Sequence, residues 1–516
     1  MPSTHRRRYV RGALLVGVLA VCAVTARPAA HLFRTAWHDV DELRDPPAGY
    51  VDDASRMNRT RVAEVWPVPA GAKEAESQLA ALLARAQREH LPVSIAGARH
   101  SMGGHTIAPG GIVVDVRPWK EMRYDENREI LVVGSGATWQ EIIPFLDARG
   151  RSVAVMQSNN SFTVGGSLSV NCHGWAFEQP PIASTVESLR LMKADGTIVR
   201  CSRSENPELF SLVLGGYGLF GIILDAELRT VSNVRYRLEQ VVVPTERALT
   251  TFDRVVRGRP DVGMAYARMC VSSDRFLDEV IINSFVEEAG PPPALAEPGK
   301  AALRRTVFRG SADSDYGKEL RWSAETRLQP LVRGEQFSRN QLLNESAEVF
   351  QNRSADSTDI LHEYFIPRDH AAGFVAALQR IVPQHDADLL NVTIRSVETD
   401  ADSFLRYADQ PMIAFVLLFV QQRTPAGEQR MAALTRELID AAIIHQGCYY
   451  LPYRLHATPE QFRRACPQAE AFFEHKRQHD PEELFQNRFY LRYGTGGNDG
   501  TSPSKQSDLL PQTSGG

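Results

Sequence analysis

Residues 92–116 read PVSIAGARHSMGGHTIAPGGIVVDV, and the fold turns on this stretch. Val93, Ser94 and Ile95 form a β-prone run, a loop with five glycines, Arg99, His100 and His105 follows, and Ile112 to Val116 form a second β-prone run. Such runs bounded by glycine clusters mark strand, loop, strand. Glycine tolerates positive φ, so Gly97, Gly103 and Gly104 are expected to turn successive N–H groups to one side and make a concave anion site suited to a diphosphate. The stretch is neither common phosphate loop. No Lys-Ser/Thr follows a closing glycine, and the loop enters a strand where the dinucleotide fingerprint would enter a helix.

Working outward, Glu74 to Glu89 places Leu79, Leu82, Leu83 and Ala86 at helical spacing, which predicts a surface helix before the loop. A strand is expected at Ile130 to Gly134 and a helix at Trp139 to Ala148. Residues 158–174, SNNSFTVGGSLSVNCHG, are dense in small and hydroxyl side chains around Gly165 and Gly166, which permits close backbone approach to a ligand. Ser188 to Lys193 and Thr197 to Cys201 flank Asp195-Gly196, a β-hairpin signature. Residues 214–223, LGGYGLFGII, lead into a strand reaching Leu228.

Taken in this order, these segments resemble one known family. Gly97-Ala98-Arg99-His100-Ser101, continued by Ala108-Pro109-Gly110-Gly111 and Val113-Val114-Asp115, is similar to the diphosphate loop of the vanillyl-alcohol oxidase/PCMH-type FAD-binding oxidoreductase superfamily. Within it the chain is similar to the aldonolactone/alditol oxidase and cytokinin dehydrogenase branches. The resemblance implies an α+β fold, with a two-subdomain FAD-binding domain and an antiparallel-sheet cap domain that supplies substrate contacts. It implies FAD carried covalently by His100 through the flavin 8α-methyl group. The cofactor contacts it implies are Ala96, Gly97, Ala98, Arg99, His100, Ser101 and His105 from the first loop. Ser158, Thr163, Gly166, Ser169 and His173 come from the second segment, and Gly218 and Ile223 from the third.

For catalysis, Thr393-Ile394-Arg395 resembles the Glu-Ile-Arg of alditol oxidases, and strand alternation puts Thr393 and Arg395 on one side. The family's glutamate is Thr393 here, so either polyol specificity is lost or Glu363 or His456 takes its role, with Tyr453 a further candidate for the catalytic site. The resemblance implies oxidation of a CH–OH carbon in a polyol, aldonolactone or related small molecule, with oxygen or a redox carrier as acceptor. A CH–NH or sterol-type dehydrogenase or reductase and a non-catalytic flavin-binding protein remain alternatives. Cytokinin is disfavoured, because Ser158 stands where that branch places a catalytic aspartate.

Composition agrees with a globular protein of several domains: 516 residues, 43% hydrophobic, 23% charged and a net charge of -4. Scattered basic residues give no sign of nucleic-acid binding. Five cysteines beyond residue 30, with no close pairing, indicate neither a disulfide framework nor zinc. No metal site is expected, since His100, His105 and His173 lie among glycines and hydroxyls. At the N-terminus, Arg6-Arg7-Arg8-Tyr9-Val10-Arg11 precedes the apolar run Gly12 to Val24, the pattern of a twin-arginine export signal or an uncleaved membrane anchor. An exported, periplasmic or membrane-attached bacterial protein is therefore expected. The boundaries read from pattern changes are 1–30 signal or anchor, 31–59 lead-in, 60–232 FAD-binding domain, 233–450 substrate domain, 451–493 returning segment and 494–516 disordered tail.

Overall fold

The two β-prone runs flanking the glycine loop pair in parallel, Val93–Ala96 beside Ile112–Asp115, with Glu64–Pro67 parallel on the other side of the latter. The structure is a computed structural model describing residues 26–39, 45–296, 301–327 and 335–495. A parallel link from Glu64–Pro67 to Val93–Ala96 needs a crossover, and the helix Ala72–Arg88 provides it. Its apolar positions Ala75, Leu79, Leu82, Leu83 and Ala86 are buried in one cluster with Val93, Ile112 and Val114. The spacing that predicts the helix is thus the spacing that packs it.

A second, antiparallel sheet runs in the order Ile198–Ser202, Val186–Met192, Ile222–Ser232, Ile130–Gly134, Met122–Asp125, and Arg151–Val153 joins the far end of Ile222–Ser232. The hairpin closes at Gly196 with φ 78°, where the Thr197 backbone N–H and hydroxyl both donate to Asp195 Oδ1. The helix Trp139–Asp147 packs Trp139, Ile142, Ile143 and Leu146 inward. Glu141 folds back to accept from the Thr138 backbone N–H and hydroxyl, both at 2.9 Å, which satisfies donors left free at the helix start.

The third sheet has eight antiparallel strands in the order Gln336–Ser338, Arg235–Pro244, Glu279–Glu288, Val262–Met269, Asp388–Val397, Met412–Gln422, Ser357–Pro367, Cys448–Tyr449. The helices Ala371–Gln384 and Pro425–Ile444 bury Phe374, Leu378, Leu434 and Leu438 in the same cluster as Phe415 and Phe419 of the sheet. Register sets the face that the helices leave uncovered. Arg268 lies opposite Thr393, Thr393 opposite Val416 and Val416 opposite Glu363, so one cross-strand row carries a cation, a hydroxyl and a carboxylate.

The chain then returns. The helix Ala469–His479 ends at Asp480, whose carboxylate accepts the N–H groups of Leu484 and Phe485 and pairs with Lys476 at 2.6 Å. Val93 N–H donates to Leu484 O at 2.7 Å and Gln486 N–H to Val93 O at 2.9 Å, so this segment adds to the edge of the parallel sheet beside the glycine loop.

Several elements depart from expectation. The sequence over Thr245 to Val256 reads as one helix, but the structure has a 3-10 turn at Thr245–Arg247, a short α-helix at Ala248–Phe252 and a π turn at Asp253–Arg257. The strands Arg235–Pro244 and Val262–Met269 and the helices Ala301–Arg309 and Asp315–Arg327 add to the elements read from sequence. The lead-in contains a helix at 26–38. The arginine-rich start and apolar run at 6–24, and the tail from 496, lie outside the described residues. Among the described residues no helix is long and apolar enough to cross a membrane.

Candidate functional site

The glycine loop, residues 158–173 and the uncovered face of the eight-stranded sheet line one cleft of about 2140 Å³. The loop's backbone differs from the sequence reading. Positive φ falls at Gly104, 70°, and at the non-glycine Arg99, 56°, but not at Gly97 or Gly103. Those two glycines serve close approach. A Cβ on Gly97 would lie 2.1 Å from Thr163 Oγ1, and one on Gly103 would lie 2.4 Å from the Tyr453 carbonyl oxygen. Gly97 thereby presses the first cofactor segment onto the second, and Gly103 presses it onto the returning chain. Asp53 braces the turn by accepting from Gly104 N–H at 2.8 Å and from Asn58 at 2.7 Å.

His100 stacks on Phe162, with ring centroids 4.1 Å apart and planes at 21°. Burial pushes its imidazole down to about 4, so the ring is neutral in ordinary buffers. His105 is buried between Tyr217 and Phe489, and desolvation lowers it to about 3. The second segment forms a short helix, Val164–Ser169, where Thr163 Oγ accepts from Gly166 N–H. Asn171, at φ 49°, ties this segment to the sheet domain by donating to Asp400 at 2.8 Å and Ser403 at 3.1 Å.

Across the cleft, Arg395 Nη2 donates to Ser158 Oγ at 2.6 Å, and Thr393 Oγ accepts from Asn391 at 2.8 Å. Glu363 and His173 are almost fully buried. Glu363 Oε1 is 2.6 Å from His173 Nε2, while Oε2 accepts from the Tyr453 hydroxyl at 3.2 Å. Burial beside Glu363 drives the Tyr453 phenol well above its ordinary value, so it stays protonated.

The cleft is rich in unsatisfied polar atoms. The hydroxyls of Ser101, Thr106, Ser135 and Ser161, together with His173 Nδ1 and Arg395 Nε, are shielded from water without a protein hydrogen-bond partner. All six residues line the cleft. Buried polar groups are ordinarily paired, so this concentration fits a polar ligand that fills the cleft. Hydroxyl donors beside the loop suit a diphosphate and ribityl chain, and the stacked His100 and Phe162 sit at the junction with the second segment. The residues present fit FAD.

Of the cofactor contacts implied by resemblance, Gly97, Ala98, Arg99, His100, Ser101, His105, Ser158, Thr163, Gly166, Ser169, His173, Gly218 and Ile223 line the cleft. Ala96 does not: it is fully buried at the end of its strand. Among the catalytic candidates, Arg395, Thr393, Tyr453 and Glu363 line the cleft, and His456 does not. His456 Nε2 meets Glu428 at 2.9 Å and Nδ1 meets Thr435 at 2.9 Å, and Thr435 also meets His362. Alternation explains the separation. Glu363 points into the cleft, so its neighbour His362 points to the helix-covered face, where His456 is buried. Sequence reasoning missed Phe162, Trp175, Tyr266, Arg268 and Asn391, which also line the cleft. Period-2 alternation in Val262–Met269 was the available signal for Tyr266 and Arg268.

Residues 72–202 match the FAD binding domain family. The chain is 32% identical over 137 residues to cytokinin dehydrogenase 2 of Arabidopsis thaliana, covering 26% of this chain and 27% of that protein. It is 27% identical over 150 residues to L-gulonolactone oxidase of Mus musculus, covering 29% and 34%. Against cytokinin dehydrogenase 10 of Oryza sativa subsp. japonica it is 25% identical over 426 residues, covering 75% and 77%. The matched stretch thus spans a quarter to a third of the first two relatives and about three quarters of the third.

Proposed function

We propose that this chain, which belongs through its FAD binding domain to the PCMH-type FAD-binding oxidoreductases, is an FAD-dependent oxidase or dehydrogenase of a CH–OH group in a polyol, aldonolactone or related small molecule. The observation that carries the reading is the meeting, in one cleft, of the cofactor loop with the Arg395, Glu363, His173 and Tyr453 wall. When bound, FAD supplies the hydride acceptor, and the protein supplies placement, charge and a proton path.

His100 holds the flavin covalently in this reading. Its imidazole is stacked, part-buried and unprotonated above about pH 4, which leaves a ring nitrogen lone pair available toward the flavin 8α-methyl carbon. Arg395, held by Ser158, places a guanidinium where it can grip the substrate oxygen and stabilise negative charge developing there. His173 receives the hydroxyl proton. With the Nε2 proton shared with Glu363, Nδ1 is left as an acceptor, and Glu363 stabilises the imidazolium that forms. Oxidation of the alcohol carbon then leaves a carbonyl oxygen on Arg395 and a proton on His173.

Purified protein mixed anaerobically with polyols, lactones, sterols and amines tests the assignment through loss of the visible flavin band. Bleaching by a polyol or lactone is expected. Bleaching by amines alone assigns CH–NH chemistry, and bleaching only by a chemical reductant assigns a non-catalytic flavin protein.

A further inference from the structure

Outside the cleft, the helix Ala469–His479 carries His475 and His479 one turn apart, and both reach Glu208 in the first turn of the helix Pro207–Val213. His479 Nε2 is 3.1 Å and His475 Nδ1 3.8 Å from Glu208 Oε1. The three donor atoms lie within 4.8 Å of one another. A zinc ion with bonds of about 2.0–2.2 Å holds its ligand atoms roughly 3.2–3.6 Å apart along the edges of a tetrahedron. The two measured separations straddle that span.

Two further observations separate this group from an ordinary surface hydrogen bond. His475 Nδ1 is shielded from water and has no hydrogen-bond partner, although it faces Glu208. Both rings are also fixed from the side: Phe404 meets His475 edge-on at 5.2 Å and Phe220 meets His479 edge-on at 6.2 Å. A single His479–Glu208 bond leaves the buried His475 nitrogen unexplained. An ion between the three donors uses all of them.

We propose that Glu208, His475 and His479 form a binding site for a divalent transition-metal ion, zinc foremost, with water completing the coordination. Two imidazole nitrogens and one carboxylate favour zinc, copper, nickel or cobalt over magnesium or calcium, which prefer oxygen. None of the three residues lines the cleft, so the role is structural. The ion fastens the C-terminal helix to the FAD-binding domain, and that helix leads into Asp480 and the Leu484–Gln486 segment paired with Val93.

The test uses the full chain, stripped with chelator and titrated with zinc chloride by calorimetry and by thermal unfolding. One ion per chain is expected, with Tm raised by about 2 °C or more at 100-fold excess over Kd and no comparable shift from magnesium. His475→Ala and His479→Ala abolish both effects. Glu208→Gln changes only an exposed side chain and weakens binding by about tenfold or more, since even the loss of outer-sphere partners costs that much. No saturable binding in the parent overturns the proposal, and so does unchanged affinity in Glu208→Gln and His479→Ala.

Discussion

Arg395 concentrates the chemistry of the sheet wall. Among the described residues its side chain makes one hydrogen bond, to Ser158, a neutral partner that positions the guanidinium without neutralising it, and its Nε is shielded from water without a partner. Arg395→Ala is expected to retain bound flavin but slow flavin reduction by substrate by about 10²-fold or more, the cost of removing one preorganised charge-stabilising donor. Stopped-flow measurement of the reductive step checks this. Reduction at the parent rate assigns Arg395 to structure. His173 and Glu363 form the second residue-scale unit, and their 2.6 Å contact makes the pair inseparable in any proton transfer.

At the scale of elements, the returning C-terminal segment is held by a buried ion pair, with Lys476 fully buried and Asp480 nearly so. Asp480 also accepts from the N–H groups of Leu484 and Phe485, so Asp480→Ala strands a buried ammonium and two backbone donors. A loss of about 3–5 kcal/mol in urea-unfolding free energy is expected; a change below about 1 kcal/mol contradicts the role given to the pair. Elements with a strong period were legible in the sequence. Leu79, Leu82, Leu83 and Ala86 gave away their helix, and the alternation around Thr393 and Arg395 placed both on the cleft. The strand Arg235–Pro244 carries Arg235, Arg237 and Glu239 at its start, charges that mask its β pattern, and in the fold Arg237 pairs with Glu288 and Glu239 with Arg259. The exclusion of His456 also lay beyond local pattern. Its distance from the cleft follows from the packing of Pro425–Ile444 under the sheet, a contact between residues far apart in the chain.

For the whole molecule, the buried imidazoles govern stability toward acid. His105 and His362 are buried, and desolvation lowers both to about 3, while an unfolded chain titrates them near 6.5. Between those values the unfolded state binds protons that the native state refuses, so stability is full above about pH 6.5 and falls as pH drops toward 3. Asp52, raised to about 6 by burial and by Asp53, works in the opposite direction, because its native form takes up a proton first. His105 and His362, joined by His100, which burial lowers to about 4, are set against Asp52 and predict a net fall in unfolding midpoint between pH 6.5 and pH 5, read by circular dichroism across buffers; a flat profile contradicts it. In the proposed function the cleft is a flavin site with His100 as its point of attachment. Acid precipitation of the purified protein, with absorbance read on pellet and supernatant, tests this most directly. Flavin colour is expected to stay in the parent pellet and to be released to the supernatant, or absent, in His100→Ala; free flavin in the parent supernatant, or colour retained in the His100→Ala pellet, contradicts attachment at His100.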